Sequence, residues 1–253
     1  MKQSTLVPEL LLADRTIPPL AKFLYVVTEI YRPESLVALA KISGLSRPHV
    51  SKLCGQLARQ GWVFKTTFGN RAVPVPAIPY PVQEQMVREL LAAFQASPLK
   101  GEFLLRKWLD YLIISEDYMD NARPSFLQNP LTGEPLELDR HYPDLRLGFE
   151  HHGPQHFGVT KQHPKVEEFN ELRSHDLMKM GLCREHDVTL VVVTAEDLSL
   201  NRLLKAIPDF APKRQVDTNG PYVKALEKLS AEYKASMARI VVKEVIPARA
   251  QAR

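Results

Sequence analysis

The densest chemistry in this 253-residue chain lies in PLELDRHYPDLRLGFEHHGPQH, residues 135–156, which holds four acidic residues and four histidines. PLELDRHY alternates apolar and polar residues as a strand does, and LRLGFEHH reads as a second strand. Between them, Tyr142-Pro143-Asp144-Leu145-Arg146 makes a short turn. In a hairpin centred between Asp144 and Leu145, opposed residue numbers sum to 289. Asp139 then falls opposite Glu150 and Glu137 opposite His152, with all four side chains on one face. Two opposed carboxylates about 5 Å apart repel each other. A divalent cation between them converts that repulsion into a binding site, and hard oxygen ligands suit Mg²⁺ or Mn²⁺. The deduction depends on register, since a slip of one residue on one strand separates the pair. From spacing alone, a solvated polar face without metal fits equally well.

Other groups compete for the same role. Seven of the eight histidines lie between His141 and His186, which raises a mononuclear zinc hydrolase as an alternative. His151 and His152, however, are strand neighbours and point to opposite faces, so they do not readily share one metal. Arg173, Asp176 and Lys179 are spaced three apart in RSHDLMK and line one side of a helix, either as a surface ladder of charges or as one wall of a site. Glu116, in SEDYMD, offers a further carboxylate from the end of a preceding helix.

These residues need a scaffold, and the second half of the chain supplies an α/β pattern. A long helix is predicted at 165–186, and TLVVVT at 189–194 has the short apolar run of a buried strand. Helices follow at 199–207, with Ser199 as cap, and at 222–237, and ARAQAR ends the chain as a tail. Two further helices are expected at 82–95, marked by Met86, Leu90 and Phe94, and at 102–114, marked by Leu104, Trp108 and Leu112. No repeat is evident.

The first 75 residues read differently. A helix at 17–31 places Leu20, Leu24, Val27 and Tyr31 on one face, and a short one follows at 35–42. After the turn Ser43-Gly44-Leu45, Ser46 caps a third helix with Pro48 in its first turn, where a missing N–H does no harm. Val50, Leu53, Cys54 and Leu57 form its apolar stripe, and Gly61 ends it. WVFKTT and RAVPV flank Phe68-Gly69-Asn70 as a hairpin. The phrase LVALAKISGLSRPHVSKLCGQLARQGWV resembles the winged helix-turn-helix of MarR-like regulators, over residues 15–75. The outward face of the third helix then carries Ser46, Arg47, His49, Ser51, Lys52 and Gln56, which are suited to base edges and phosphates, with Lys65 and Arg71 on the wing. A winged helix used for protein contact is the alternative, because fold alone does not fix function.

Charge follows the same division. Residues 1–75 hold ten Lys and Arg against four Asp and Glu, a balance of +6 in a chain whose total is +4. A basic N-terminal part is what phosphate contact requires. No apolar run is long enough to cross a membrane, and MKQSTLVPELLLADR is a poor secretory signal. The two cysteines, Cys54 and Cys183, read as buried thiols in a reducing cytoplasm. The proline-rich PVPAIPYP, residues 74–81, marks a boundary. The expected organisation is a winged helix-turn-helix at 1–75, a connector and helical spacer at 76–114, an α/β domain with a central mixed sheet at 115–210, and a terminal helix and tail at 211–253, α+β overall.

NARPSFLQNPLTGEPLELDRHYPDLRLGFEHHGPQHF closely resembles the PD-(D/E)XK restriction-endonuclease-like superfamily, in the branch related to very-short-patch-repair endonucleases, over roughly residues 115–205. The resemblance implies that Asp139 and Glu150 are metal-binding carboxylates and that Gln155 and His156 complete the site. It departs at one position. The superfamily's lysine stands two residues after the acidic ligand, where this chain has His152, so histidine takes that role or Lys179 supplies it from the long helix. The implied activity is Mg²⁺-dependent hydrolysis of DNA phosphodiester bonds by an endonuclease, in restriction, defence or mobile-element processing. Double-stranded DNA is the expected partner, and a homodimer suits a double-strand cut, with no membrane and no small-molecule cofactor. Two other readings stay open: a DNA-binding transcriptional regulator whose nuclease-like domain is inactive, and a DNA-binding subunit of a larger defence or transposition assembly.

Overall fold

The N-terminal elements are helices α1 (Pro19–Tyr31), α2 (Leu36–Ser43) and α3 (Arg47–Arg59), followed by strands β1 (Val63–Phe68) and β2 (Arg71–Pro76). Proline in the first turn starts α1 and α3 where no intrahelical N–H bond is lost. Ser35 caps α2 by accepting from the Ala38 N–H at 3.1 Å. Ser46 holds the cap position of α3 without a side-chain bond. The stripe expected on α3, Val50, Leu53, Cys54 and Leu57, is buried throughout against Leu24, Val27, Leu39 and Trp62. On α1 the buried side is Ala21, Leu24, Tyr25, Val27 and Thr28, while Leu20 and Tyr31 are exposed. Apolar residues occupy both sides of α1, so periodicity alone misplaced its phase. β1 and β2 pair antiparallel from Val63 opposite Pro76 to Phe68 opposite Arg71. Pro74 and Pro76 therefore belong to a strand rather than to the connector, which a two-stranded ribbon tolerates because one edge of each strand needs no donor.

This computed structural model describes residues 10–68, 71–154 and 166–245. The chain divides into two units, residues 1–91 with 215–224 and residues 92–214 with 225–253. In the first, helix α4 (Tyr80–Ala96) begins three residues after the Ala77 N–H bonds to the Trp62 carbonyl at 2.9 Å. Gly61, at φ +74°, lies so close to Tyr80 that a Cβ there would sit 2.3 Å from the ring. Residues 215–224 return to the start of α4. The Tyr80 hydroxyl donates to Asp217 Oδ2 at 2.9 Å. Gln83, fully buried, donates to the Ile78 carbonyl at 2.6 Å and accepts from the Tyr222 N–H at 3.2 Å.

The second unit contains α5 (Lys100–Leu112), β3 (Met119–Ala122), β4 (Leu138–Tyr142), β5 (Leu147–His152), α6 (Val166–Glu185), β6 (Thr189–Thr194), α7 (Leu200–Ala206) and most of α8 (Pro221–Val245). The chain is thus mixed α/β, with a four-stranded sheet in the order β3-β4-β5-β6. β3, β4 and β5 are antiparallel neighbours and β6 runs parallel to β5, with α6 as the crossover. The pairs Arg140 with Phe149, His141 with Gly148 and Tyr142 with Leu147 all sum to 289, the expected register. β4 begins at Leu138, so Glu137 precedes the strand and its carboxylate instead accepts from Arg123 Nε at 2.9 Å. Leu104, Trp108 and Leu112 of α5 are buried as expected, and Trp108 Nε1 donates to Ser230 Oγ at 3.0 Å. Arg140, almost fully enclosed, is bound through Nε and Nη2 to Asp120 and through Nη1 to Asp110 at 2.6 Å, which satisfies its buried charge.

Candidate functional site

Asp139 on β4 and Glu150 on β5 stand where the ladder between those strands ends. The His151 N–H, the next donor along β5, bonds to Asp139 Oδ2 at 2.6 Å instead of to backbone. This bond fixes one oxygen of Asp139 beside β5. Glu150 is 5 % exposed, and Lys179 Nζ reaches its Oε1 at 2.9 Å from α6. One turn of α6 earlier, Asp176 Oδ1 lies 3.6 Å from His152 Nε2. Alternation along β5 explains both contacts, because residues 150 and 152 face the same side and α6 covers that side. Helical spacing explains why Asp176 and Lys179 arrive together, while Arg173 is exposed.

Burial is the largest influence on both carboxyls. It pushes Glu150 up to about 7, against the pull of Lys179 and with added repulsion from Asp139. Asp139 is also raised by burial, opposed by the His151 N–H and by Lys179. A third acid lies within electrostatic reach of Asp139. Glu102, in the first turn of α5, is raised first by burial and then by Asp139, while Arg106 at 3.3 Å and Lys179 pull it down. Sequence reading missed Glu102 and weighed Glu116 instead, which lies beyond the end of α5 in the approach to β3. The spacing of Glu102 ahead of Leu105 and Trp108 gave no sign that it faces the sheet's acids. Close approach of α5 to β5 depends on Gly101, where a Cβ would meet the His151 imidazole at 2.1 Å.

The donor set at Asp139 and Glu150 fits a hard divalent cation. Such an ion takes one or two carboxylates and keeps water and phosphate oxygens in its other positions. Among the described residues no group of three or more His, Cys, Asp or Glu side chains is placed to hold an ion, so the zinc arrangement is not assembled there. Gln155 and His156 lie outside the described residues. Cys183, one turn after Lys179, is a buried thiol raised to about 11 by burial and then by Glu150.

In the first unit, Ser46, Arg47, His49, Ser51 and Lys52 are all exposed on α3, and Gln56 is half-buried. Lys65 sits on β1 opposite Pro74 and Arg71 on β2 opposite Phe68; the placement of their side chains lies outside the described residues. No helix among the described residues is long and apolar enough to cross a membrane.

No family model matches the chain, and no solved structure matches it. Two curated viral proteins do. It is 36% identical over 115 residues to uncharacterized protein 307L of Invertebrate iridescent virus 6, which is 39% of this chain and 58% of that protein. It is 38% identical over 73 residues to uncharacterized protein 033L of Invertebrate iridescent virus 3, which is 28% of this chain and 38% of that protein. The chain therefore spans less than two thirds of either relative's length.

Proposed function

We propose that the chain is a metal-dependent DNA endonuclease, with a restriction-endonuclease-like site in its second unit and a winged helix-turn-helix for double-stranded DNA in its first. The observation that carries this reading is Lys179 on Glu150 at 2.9 Å, with Asp139 on the adjoining strand. The resemblance asks for a lysine beside the acidic ligand, and α6 brings one from outside the strand. The mixed sheet that holds the two acids supports the same reading.

Mg²⁺ or Mn²⁺ held by Asp139 and Glu150 would supply Lewis-acid activation of the scissile phosphate and of a water. The chain's own groups do the rest. The His151 N–H fixes the rotation of Asp139. Lys179 fixes Glu150 and sets a positive charge where negative charge builds on the phosphate oxygens. Asp176 orients the imidazole of His152, which accepts or relays the proton of the attacking water. Enclosure of Glu150 keeps these charges in a medium of low polarity, where each contact counts for more.

The test is cleavage of supercoiled plasmid with Mg²⁺ or Mn²⁺. Native protein is expected to nick or linearise it. Asp139→Ala and Glu150→Ala should abolish cleavage, and Lys179→Met should slow it at least about 100-fold. A native protein that binds DNA tightly yet cuts with neither metal sinks the proposal. A second reading, a DNA-binding regulator with an inactive nuclease-like domain, draws on one observation: His152 occupies the lysine's usual position and is tied to Asp176.

A further inference from the structure

The side of α1 that faces away from its own core is apolar too. Pro19, Phe23, Val26 and Ile30 recur at helical spacing along it, and Phe23, Val26 and Ile30 are 48%, 44% and 66% exposed. Lys22, on the flank of this stripe, already bonds through Nζ to the Leu12 carbonyl at 2.7 Å, which leaves its other two N–H groups free to donate. A surface helix ordinarily turns polar residues to water, and a contiguous apolar stripe marks a place where protein is covered. Nucleic acid is a poor occupant, since the helix carries one cation, Lys22, and one anion, Glu29.

The pattern along this face is its own complement. Under a two-fold axis through Val26, Phe23 of one copy meets Ile30 of the other, and Lys22 meets Glu29. A parallel pairing would instead hold Lys22 and Glu29 of the two copies seven residues apart along the helices, with no opposite-charge contact across the seam. We propose that α1 is a homodimer seam, in which two copies of this chain pair antiparallel through Phe23, Val26 and Ile30 with Lys22–Glu29 contacts at each end. The proposal does not depend on the nuclease reading, and its test involves neither DNA nor metal.

The full chain should elute at micromolar concentration with twice its 28.7 kDa mass by light scattering. Val26→Glu places two like charges on the axis and should halve that mass. Glu29→Lys should weaken association, and adding Lys22→Glu to it should restore the dimer, a rescue that mere damage to folding cannot produce. Val26→Cys should give an oxidative cross-link between copies, because Cys54 and Cys183 are each buried to 1% exposure. A native chain that stays monomeric, or a dimer untouched by both Val26→Glu and Glu29→Lys, overturns the proposal. A monomer whose introduced thiol resists alkylation would mean that the chain's own first nine residues or another protein takes this face, which overturns it equally.

Discussion

Glu150 shows how far one residue's surroundings can shift its chemistry. Burial raises its carboxyl to about 7, so the folded chain holds a proton there that the unfolded chain releases near 4.5. The sign follows from linkage: a raised carboxyl contributes stability that is full below its unfolded value and lost as pH rises through its folded value. Between about pH 4.5 and 7, native stability should therefore fall relative to Glu150→Gln. Denaturant melts of both proteins across that window should show the stability difference moving steadily in favour of the substituted chain as pH rises. Parallel curves would mean that Lys179 holds Glu150 ionised throughout. Much of this site was readable residue by residue. The sum rule set Asp139 beside Glu150, and three-residue spacing carried Asp176 and Lys179 to the same side of a helix. Glu102 was not readable, because its position depends on how closely α5 approaches β5 over Gly101, a tertiary distance that no local pattern encodes.

At the scale of elements, α3 is the part of the first unit whose role can be tested alone. Its buried stripe leaves Arg47, His49, Ser51 and Lys52 facing solvent together, the distribution that a helix in the major groove requires. Lys52→Ala is expected to weaken binding to every duplex about equally and to lower the salt slope by about 1, as loss of one phosphate contact should. Filter binding or anisotropy across a salt series measures it, and an unchanged slope would remove Lys52 from the DNA face. The apolar stripe of α3 and the short apolar run of β6 made those elements legible. β3 was not: it has four residues, three of them exposed, and gains its strand character from pairing with β4. The proline-rich boundary also shifted, since Pro74 and Pro76 are absorbed into β2.

For the whole molecule, the sequence suggested domains in series, whereas the first unit is built from two distant stretches of chain. Polar contacts rather than a long apolar run join them, so hydropathy gave no warning. Tyr80→Phe removes the bond to Asp217 and should cost about 1 kcal/mol of that unit's stability. Urea unfolding followed at Trp62 should show the loss. An unchanged transition would mean that residues 215–224 contribute little. The same feature bears on how the protein is made. Units that are continuous in sequence finish folding as they leave the ribosome. Here the buried amide of Gln83 waits for the Tyr222 N–H, which is synthesised after residues 92–214 of the second unit. The unit that begins first is completed late, and a ribosome that stalls before residue 215 would release a chain whose N-terminal half, though translated in full, still lacks a piece of its own interior.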